Sequence, residues 1–252
     1  MIFSLLRRAC GRVEVGSRHI FVPLGTQCTD RYNICQPHKE QGLTMTGERG
    51  RPRNFDTDTA LDRALEVFWR HGFQGASLSE LTAAMGLNKP SLYAAFGDKE
   101  SLYLKALERY VTLCATEHAA KLDAEPDARR AVAAFLHSIA AMLVHPKLPG
   151  GCYVINGVAD CGGATTPAAV DAALRRQLEQ NEAMLKERLA RAQRDGQLPR
   201  GKSADELAAL FSAVLAGIGV LAKGGASRAR LDRIIDTALL AWPEPAASER
   251  KR

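Results

Sequence analysis

Cysteines, aromatic residues and long apolar runs are all scarce in this 252-residue sequence. Six cysteines over this length are too few to staple a small secreted domain, and they fit a reducing cytoplasm. No run approaches the ~18 consecutive apolar residues of a membrane-spanning helix, and the apolar start is shorter than the core of a signal peptide. We therefore expect a cytoplasmic protein that has no membrane partner.

Neither sign of charge is in large excess. Lysine and arginine number 34 against 28 acidic residues, and 46% of the residues are hydrophobic. This composition excludes a wholly disordered chain and predicts a packed core. The net charge of +6 is compatible with an acidic partner such as nucleic acid, but it is weak evidence, because residues 45–105 hold eight basic and eight acidic side chains.

Residues 1–44 differ in pattern from the rest of the chain. They show no sustained helical period, and they hold three of the six cysteines. Cys28 and Cys35 are seven residues apart, whereas structural zinc sites pair cysteines two to four residues apart, so we expect no metal and no cofactor here. The pattern favours a start at Met45, with 1–44 a disordered or mis-called extension.

From Asp56 onward apolar residues recur at the spacing of helices, which predicts an all-α fold. Asp56 is a candidate cap for a first helix that Gly72 ends. The apolar stripe of that helix consists of Leu61, Ala64, Leu65, Phe68 and Trp69. The later helices are predicted at 99–121, 128–144, 168–194, 203–222 and 227–242, with a short one between Gly151 and Cys161.

Two short helices joined by a glycine turn follow the first helix. Ser77 and Glu80 form a capping box that begins the second helix, which Gly86 ends. Asn88 caps a third helix over 89–96. Two short helices against a longer amphipathic one have the layout of a three-helix DNA-binding unit, although a plain helical hairpin in a larger bundle has the same pattern. The polar start of the third helix favours DNA binding.

Residues 51–102 resemble the N-terminal domain of TetR/AcrR-family transcriptional regulators. The resemblance is carried, in order, by RPRNFD (51–56), ALEVFWRHGF (64–73), SLSEL (77–81) and MGLNKPSLYAAFGDKESL (85–102). It implies a helix-turn-helix DNA-binding domain at 45–105, followed at 106–252 by a helical regulatory domain for effector binding and dimerisation. It also implies that the protein is a homodimeric repressor and not an enzyme. A small-molecule effector is then expected to release the repressor from a palindromic DNA operator.

The resemblance places the third helix in the major groove of the operator. There Lys89 can donate to guanine, Ser91 can bond several base edges, and Pro90 can contact a thymine methyl. Ser77, Tyr93 and Lys99 are expected to contact phosphates. The arginine arm, residues 49–53, is expected to enter an adjacent minor groove, and a solvated run of charges is the alternative for it. The predicted DNA-binding residues are Arg49, Arg51, Arg53, Ser77, Asn88, Lys89, Pro90, Ser91, Tyr93 and Lys99.

The last two helices are apolar over a broad surface. The family uses the corresponding pair in a four-helix dimer interface, and core packing within one chain is the alternative. A dimer also follows from the short third helix, because two-fold symmetry doubles the recognised site. The predicted interface residues are Leu207, Phe211, Val214, Leu215, Ile218, Leu231, Ile234, Ile235 and Ala238.

The resemblance implies a small-molecule site among the middle helices. The side chains there indicate an apolar effector with a few polar handles, although each of them is equally compatible with an ordinary core or surface position. The candidate effector-binding residues are His118, Phe135, His137, Met142, Cys152, Tyr153, Asn156 and Met184.

Cys152 offers an alternative mechanism, because residues 150–156 resemble a stretch found in one group of these regulators. A thiol at a helix N-terminus has a lowered pKa, which favours reaction with oxidants or electrophiles. Cys161 or Cys114 could then resolve it, whereas a buried filler role is the ordinary alternative. A more distant alternative is a helical enzyme or ligand-binding module without DNA affinity, but the sequence has no catalytic constellation.

Overall fold

Helices make up all of the regular structure in the residues that the computed structural model describes, namely 55–162, 165–198 and 203–243. This confirms the predicted all-α fold. In chain order the helices are α1 (Thr57–Gly75), α2 (Leu78–Met85), α3 (Lys89–Phe96), α4 (Lys99–Cys114), α5 (Ala120–Ala124), α6 (Ala128–Leu143), α7 (Tyr153–Val158), α8 (Ala168–Arg194), α9 (Ala204–Lys223) and α10 (Arg228–Ala238). A π-helical turn, Ala115–Ala119, joins α4 to α5, and a 3₁₀ turn, Leu239–Ala241, follows α10.

Helix α1 begins where the sequence predicts and runs past its predicted end. The Asp56 carboxylate accepts a hydrogen bond from the Asp58 amide at 3.0 Å, which caps the helix. Gly72 has a φ of 68°, so helical geometry breaks there as expected, but helical turns resume and continue to Gly75. The break is also crowded, because a Cβ at Gly72 would lie 3.0 Å from Asp160 Oδ2.

The two short helices are fixed by their caps. The Ser77 hydroxyl accepts from the Glu80 amide at 3.1 Å, and Glu80 Oε2 accepts from the Ser77 amide at 2.9 Å, which confirms the predicted capping box. At the start of α3, Asn88 Oδ1 accepts from the Ser91 amide at 2.8 Å, as predicted. Local sequence therefore determines where both helices start.

A charged pair ties α1 to α4. Arg109 Nε donates to Asp62 Oδ1 at 2.9 Å, and Asp62 is buried. The sequence analysis missed this pair because the two residues are 47 positions apart and lie on different helices. The apolar core between the same two helices includes Leu65, Phe68, Trp69, Tyr103 and Leu107. The first helix is thus anchored on α4 by both apolar and ionic contacts.

The predicted fourth helix contains a turn that periodicity does not reveal. Its backbone changes to π-helical hydrogen bonding at Ala115–Ala119 and continues as α5 to Ala124. His118 lies inside this turn, is buried, and has its Nδ1 3.0 Å from Ser138 Oγ on α6. Single π turns within helices are frequent at functional sites, because they change the direction of the side chains around them.

Arg188 holds α8 against the end of α5. Its buried guanidinium donates to the Leu122 carbonyl at 2.7 Å and to the carbonyls of Glu125 and Pro126 at 3.1 Å each. Carbonyls at the end of a helix have no partner within that helix. Arg188 supplies the missing donors, so the long α8 has a fixed position beside α4–α5.

Helix α9 has a length and composition sufficient to cross a membrane, although the sequence analysis expected no such segment. These two criteria are weak evidence, because an apolar core helix of a soluble protein meets them as well. Leu207, Phe211 and Ile218 are buried within the chain, whereas Leu210 and Val220 are exposed. Helix α9 is therefore apolar both on the face that packs on its own chain and on its exposed face.

Candidate DNA-binding surface and regulatory cavity

Helix α3 has one buried and one exposed face. Leu92 and Phe96 are buried against the other helices. Lys89 and Pro90 are exposed in the first turn, and Tyr93, with 46% of its surface exposed, follows one turn later. The exposed face therefore presents a cation, an apolar ring and a phenol, which are groups that contact bases and phosphates in DNA grooves.

Other predicted DNA-binding residues already make contacts within the chain. The Ser77 hydroxyl and Asn88 Oδ1 are acceptors in helix caps, and Ser91 is half-buried. Lys99 Nζ lies 4.6 Å from the centroid of the Phe73 ring, and burial lowers the pKa of this lysine. These contacts restrict the side chains before any DNA is bound.

Lys105 is a residue near α3 that the sequence analysis missed. Its Nζ donates to the Phe96 carbonyl at 3.2 Å and lies 5.7 Å from the centroid of the Phe96 ring. The lysine thereby satisfies a carbonyl at the end of α3 and complements the helix dipole. No spacing rule indicates this contact, because it joins α4 to α3. The predicted arginine arm, 49–53, lies outside the described residues.

A cavity of about 520 Å³ lies among α4, α6, α8 and α9, beside the start of α7. Its apolar wall includes Val111, Ala115, Ala119, Phe135, Ile139, Val154, Leu178, Met184 and Leu215. Its neutral polar side chains are Tyr110, Cys114, Cys152, Gln177, Gln180, Asn181 and Ser212. The π turn supplies two of the small wall residues. The size and the mixture of side chains are those of a small-molecule site.

Three of the candidate effector-binding residues line this cavity, namely Phe135, Cys152 and Met184. Met142 and Tyr153 are buried in the core instead, and the Tyr153 ring lies 5.2 Å from that of Tyr103. Asn156 is half-buried and contacts the backbone turn at Gly151. The sequence places all of these residues near the middle helices, but it does not show which of them face the cavity.

The two candidate histidines also lie outside the cavity wall. Burial, together with Lys121, lowers the pKa of His118 to about 4, so this ring is neutral at pH 7. The Nδ1 and Nε2 atoms of His137 lie 2.7 Å and 3.0 Å from carboxylate oxygens of Asp232 and Asp236 on α10. Within the described ranges, no group of three or more His, Cys, Asp and Glu side chains could hold a metal ion.

The predicted low pKa of the Cys152 thiol is wrong. The side chain borders the cavity but is closely surrounded by protein atoms, and this burial raises its pKa above the ordinary value. A hydrogen bond from the Tyr110 hydroxyl at 3.4 Å and the amides of α7 oppose the effect only in part. Because α7 has only six residues, its dipole is weak.

Cys114 and Cys161 differ in their relation to Cys152. Cys114 lines the same cavity and interacts with the same Tyr110 hydroxyl. Cys161 lies beyond the end of α7, where burial, followed by contacts with Asp171, raises its pKa to about 11. Cys114 is therefore the better placed of the two to react together with Cys152.

The cavity wall is connected to α1 through Trp69. The indole Nε1–H donates to the Gly151 carbonyl at 2.9 Å in a buried hydrogen bond, and Cys152 is the next residue along the chain. The Trp69 ring also packs edge-on against Tyr110, with ring centroids 4.9 Å apart. Both links involve the cavity wall. Tyr110, a wall residue, packs on Trp69, and Cys152, another wall residue, follows the Gly151 carbonyl that accepts from Trp69.

The predicted interface residues divide between the core and the surface. Leu207, Phe211, Ile218, Leu231 and Ile235 are buried within the single chain, because α9 and α10 each pack one face on the rest of the molecule. Val214, Leu215, Ile234 and Ala238 are half-buried. Leu210, Val220 and Leu240 are exposed, and none of the three is among the predicted interface residues. Helical periodicity shows that both faces of α9 are apolar, but it does not show which face is inward.

Comparison with known proteins identifies the family. Residues 60–106 match the family described as bacterial regulatory proteins, tetR family, and residues 110–238 match the one described as Tetracyclin repressor-like, C-terminal domain. The chain is 35% identical to the HTH-type transcriptional repressor ComR of Escherichia coli K12 over 199 residues, which cover 78% of this chain and 93% of ComR.

Solved structures give the same result. A cysteine mutant of the TetR family transcriptional regulator CifR, complexed with 26-base-pair operator DNA, is 41% identical with a TM-score of 0.73, and the match covers 77% of this chain and 100% of that chain. Reduced NemR of E. coli, 21% identical with a TM-score of 0.65, shares the fold over 75% of this chain and 98% of its own. The chain therefore belongs to the TetR family, as predicted, and it is a DNA-binding regulator of transcription, not an enzyme.

Proposed function

We propose that the protein is a cytoplasmic, homodimeric repressor that binds a palindromic operator and leaves it when a small molecule fills the cavity. The observation that carries this proposal is that α3 has one buried and one exposed face. Leu92 and Phe96 are buried and hold the helix, so that Lys89, Pro90 and Tyr93 are exposed at fixed positions. One short helix offers few donors to bases, so a second copy related by two-fold symmetry supplies further discrimination.

The exposed residues have distinct proposed roles at the operator. Lys89 donates to guanine and Ser91 to a neighbouring base edge in the major groove. Tyr93 and Lys99 contact phosphates, which position the helix without reading sequence. The arm at 49–53 enters an adjacent minor groove, where arginine is favoured by the negative potential. In this proposal the DNA-binding domain is 45–105.

The exposed face of α9 and α10 is the proposed dimer contact. Leu210, Val214 and Val220 lie along α9 without a buried position in the single chain. A Cβ at Gly217 would have no atom within 4 Å, so this glycine leaves space for close approach of a second helix. A second copy of the chain would cover the apolar side chains and account for the composition of α9.

Effector release requires the cavity to communicate with the DNA-binding domain. A molecule in the cavity contacts Tyr110 and Cys152. Tyr110 packs directly on Trp69 of α1, and Cys152 follows Gly151, whose carbonyl accepts the Trp69 hydrogen bond. Because the cavity wall and α1 share these contacts, a displaced wall changes the position of α1. Reversal of a two-state equilibrium from 1:99 to 99:1 needs about 5.5 kcal/mol of differential effector affinity.

Selection of genomic DNA fragments by the purified full-length chain tests this function. Wild-type protein is expected to enrich fragments that share a palindrome, with half-sites one helical turn or a multiple of it apart. The double variant Lys89→Ala/Tyr93→Ala, whose changes lie on the exposed face only, is expected to enrich none. Enrichment without a common sequence, or equal enrichment by the variant, contradicts the proposal.

A thiol-based release is the second candidate, because Cys114 and Cys152 border one cavity and share the Tyr110 hydroxyl. Hydrogen peroxide would take two protons and two electrons from the two thiols, which leaves a disulfide and two molecules of water. Since burial raises the pKa of Cys152, this reaction is expected to be slow. Peroxide should then release operator DNA from wild type but not from Cys114→Ser or Cys152→Ser, and equal release from all three rejects the thiol mechanism.

A further inference from the structure

Two carboxylates give the regulatory cavity a charge preference. Glu179 and Glu182 line it, and they are the only Asp, Glu, Lys, Arg or His side chains among the described residues of its wall. Both are exposed on α8, so they lie at the rim of the cavity and not in its interior. No lysine, arginine or histidine belongs to the described part of this wall. A bound molecule therefore meets negative charge at the rim and neutral groups inside.

Two neighbouring cations of α8, Arg175 and Lys186, are held by other carboxylates. Arg175 Nε lies 3.3 Å from Asp171 Oδ2, and Lys186 Nζ lies 3.1 Å from Asp205 Oδ2. Each of these cations stands four residues along α8 from one of the rim glutamates, a spacing at which helical ion pairs form. A third cation, Arg176, is exposed three residues from Glu179 and is not part of the cavity wall. Two glutamates against this one arginine leave the rim with a net negative charge.

The interior offers hydrogen bonds without full charges. Gln177 Nε2 donates to Asn181 Oδ1 at 3.1 Å, and the two amides lie on the cavity side of α8. Hydroxyl groups of Tyr110 and Ser212 lie in the wall formed by α4 and α9. Such groups can bind a hydroxyl, an amide or an ammonium, while the apolar wall holds the body of the molecule.

We propose that the effector is a neutral or cationic molecule with an apolar body, and that the cavity selects against anions. An anion that enters loses its water and meets no cation, which costs free energy that a neutral molecule does not lose. A cation also loses water, but the rim glutamates attract it. This inference rests on the proposed function, in which the cavity holds the effector.

Three probes with one skeleton test the preference. They are 1-naphthylmethylamine, 1-naphthylmethanol and 1-naphthylacetate, which differ mainly in charge, and their affinities for the full-length protein are measured by calorimetry at pH 7. The amine is expected to bind about tenfold more tightly than the carboxylate at 50 mM salt, with the alcohol in between. Because the rim is exposed to solvent, the difference should shrink at 500 mM salt.

Charge-neutral variants locate the effect. In Glu179→Gln/Glu182→Gln the amine and the carboxylate should differ by about twofold or less, since desolvation penalises both ions. The matched control Glu187→Gln/Glu206→Gln removes the same charge from exposed residues outside the cavity wall and should keep the tenfold difference. Equal binding of amine and carboxylate by wild type, loss of preference in the control, or binding of none of the probes below 1 mM overturns the inference.

Operator affinity separates this inference from the proposed function. If the amine binds with the expected preference but leaves operator affinity unchanged, the charge preference of the cavity stands and effector release is contradicted. If the three probes bind equally while operator DNA is still recognised and released, the charge preference fails and the proposed function stands.

Discussion

The Trp69 indole donates a buried hydrogen bond to the carbonyl of Gly151, 82 residues further along the chain. Gly151 adopts a φ of 68°, and a Cβ there would lie 2.9 Å from the Lys223 Cβ, so the carbonyl is held by a crowded turn that suits only glycine. Lys223 in turn donates to the Arg70 carbonyl at 3.2 Å. Helix α1 is thus attached to both α9 and the start of α7, which border the cavity.

Trp69→Phe is expected to lower the free energy of unfolding by about 2–3 kcal/mol. The smaller ring loses packing, and the buried Gly151 carbonyl loses its donor, for which the usual cost is about 1–3 kcal/mol. Urea unfolding followed by circular dichroism measures the change. Trp242→Phe is the matched control, because this ring packs on Phe211 with centroids 6.3 Å apart. Equal losses in the two variants would show that the hydrogen bond contributes nothing.

Asp62→Asn is expected to cost about 2–3 kcal/mol of stability. The substitution keeps the shape of the side chain but removes the charge that faces Arg109, and an uncompensated buried charge is costly. The loss lies below the 3–5 kcal/mol of a fully buried pair, because 22% of the Arg109 side chain remains exposed. Thermal unfolding of the full chain is the measurement.

Glu66→Gln serves as the control for this pair, since it removes one carboxylate from the same helix. Glu66 lies 3.9 Å from Arg70, whose side chain is 55% exposed, and such surface pairs contribute about 0–1 kcal/mol. A loss in Glu66→Gln as large as that in Asp62→Asn would mean that the loss of one negative charge from α1, and not the buried contact with Arg109, lowers the stability.

Local rules predicted the DNA-binding helices because their signals lie within a few residues of each other. Ser77 bonds Glu80, and Asn88 bonds Ser91, each three positions away. Contacts between distant segments, such as Trp69 with Gly151, follow from tertiary packing and leave no such pattern. For the same reason the sequence did not predict which apolar face of α9 is buried and which is exposed.

Cys152 shows how a correct local feature can give a wrong electrostatic conclusion. The thiol does stand at the start of a helix, as the sequence indicates, and the amides of α7 do lower its pKa. Burial has the larger effect and raises the pKa, and burial depends on elements far away in the chain. The sequence therefore predicted the capped starts of α2 and α3, but it did not predict which side chains line the cavity or the direction of the pKa shift of Cys152.

His118 is expected to make the protein less stable in acid. Its pKa is about 4 in the folded chain and near 6.5 in the unfolded chain, so the unfolded state binds more protons between these values. Because protons bind preferentially to the unfolded state, the free energy of unfolding falls as the pH is lowered through this window. The expected loss between pH 7 and pH 5 is about 2 kcal/mol. Urea unfolding at a series of pH values measures it.

His118→Gln removes the titrating ring and can still bond Ser138. The variant should therefore lose about 2 kcal/mol less than wild type between pH 7 and pH 5, whatever its stability at pH 7. His71→Gln, at an exposed position, should follow the wild-type curve. If His118→Gln also follows that curve, the buried imidazole is not the source of the acid sensitivity.

Lys89 and Lys99 carry the same charge but should affect DNA binding differently. Lys89 is exposed in the first turn of α3, where it can reach a base, so Lys89→Ala should cost about 1–3 kcal/mol at one base pair and relax the preference there. Lys99 is held over the Phe73 ring at the start of α4 and is assigned to a phosphate. Lys99→Ala should weaken binding to all sequences alike and reduce the slope of log affinity against log salt by about 0.9. Fluorescence anisotropy with the operator and its single-base variants, at several salt concentrations, distinguishes the two, and a uniform loss for Lys89→Ala would place α3 outside the major groove.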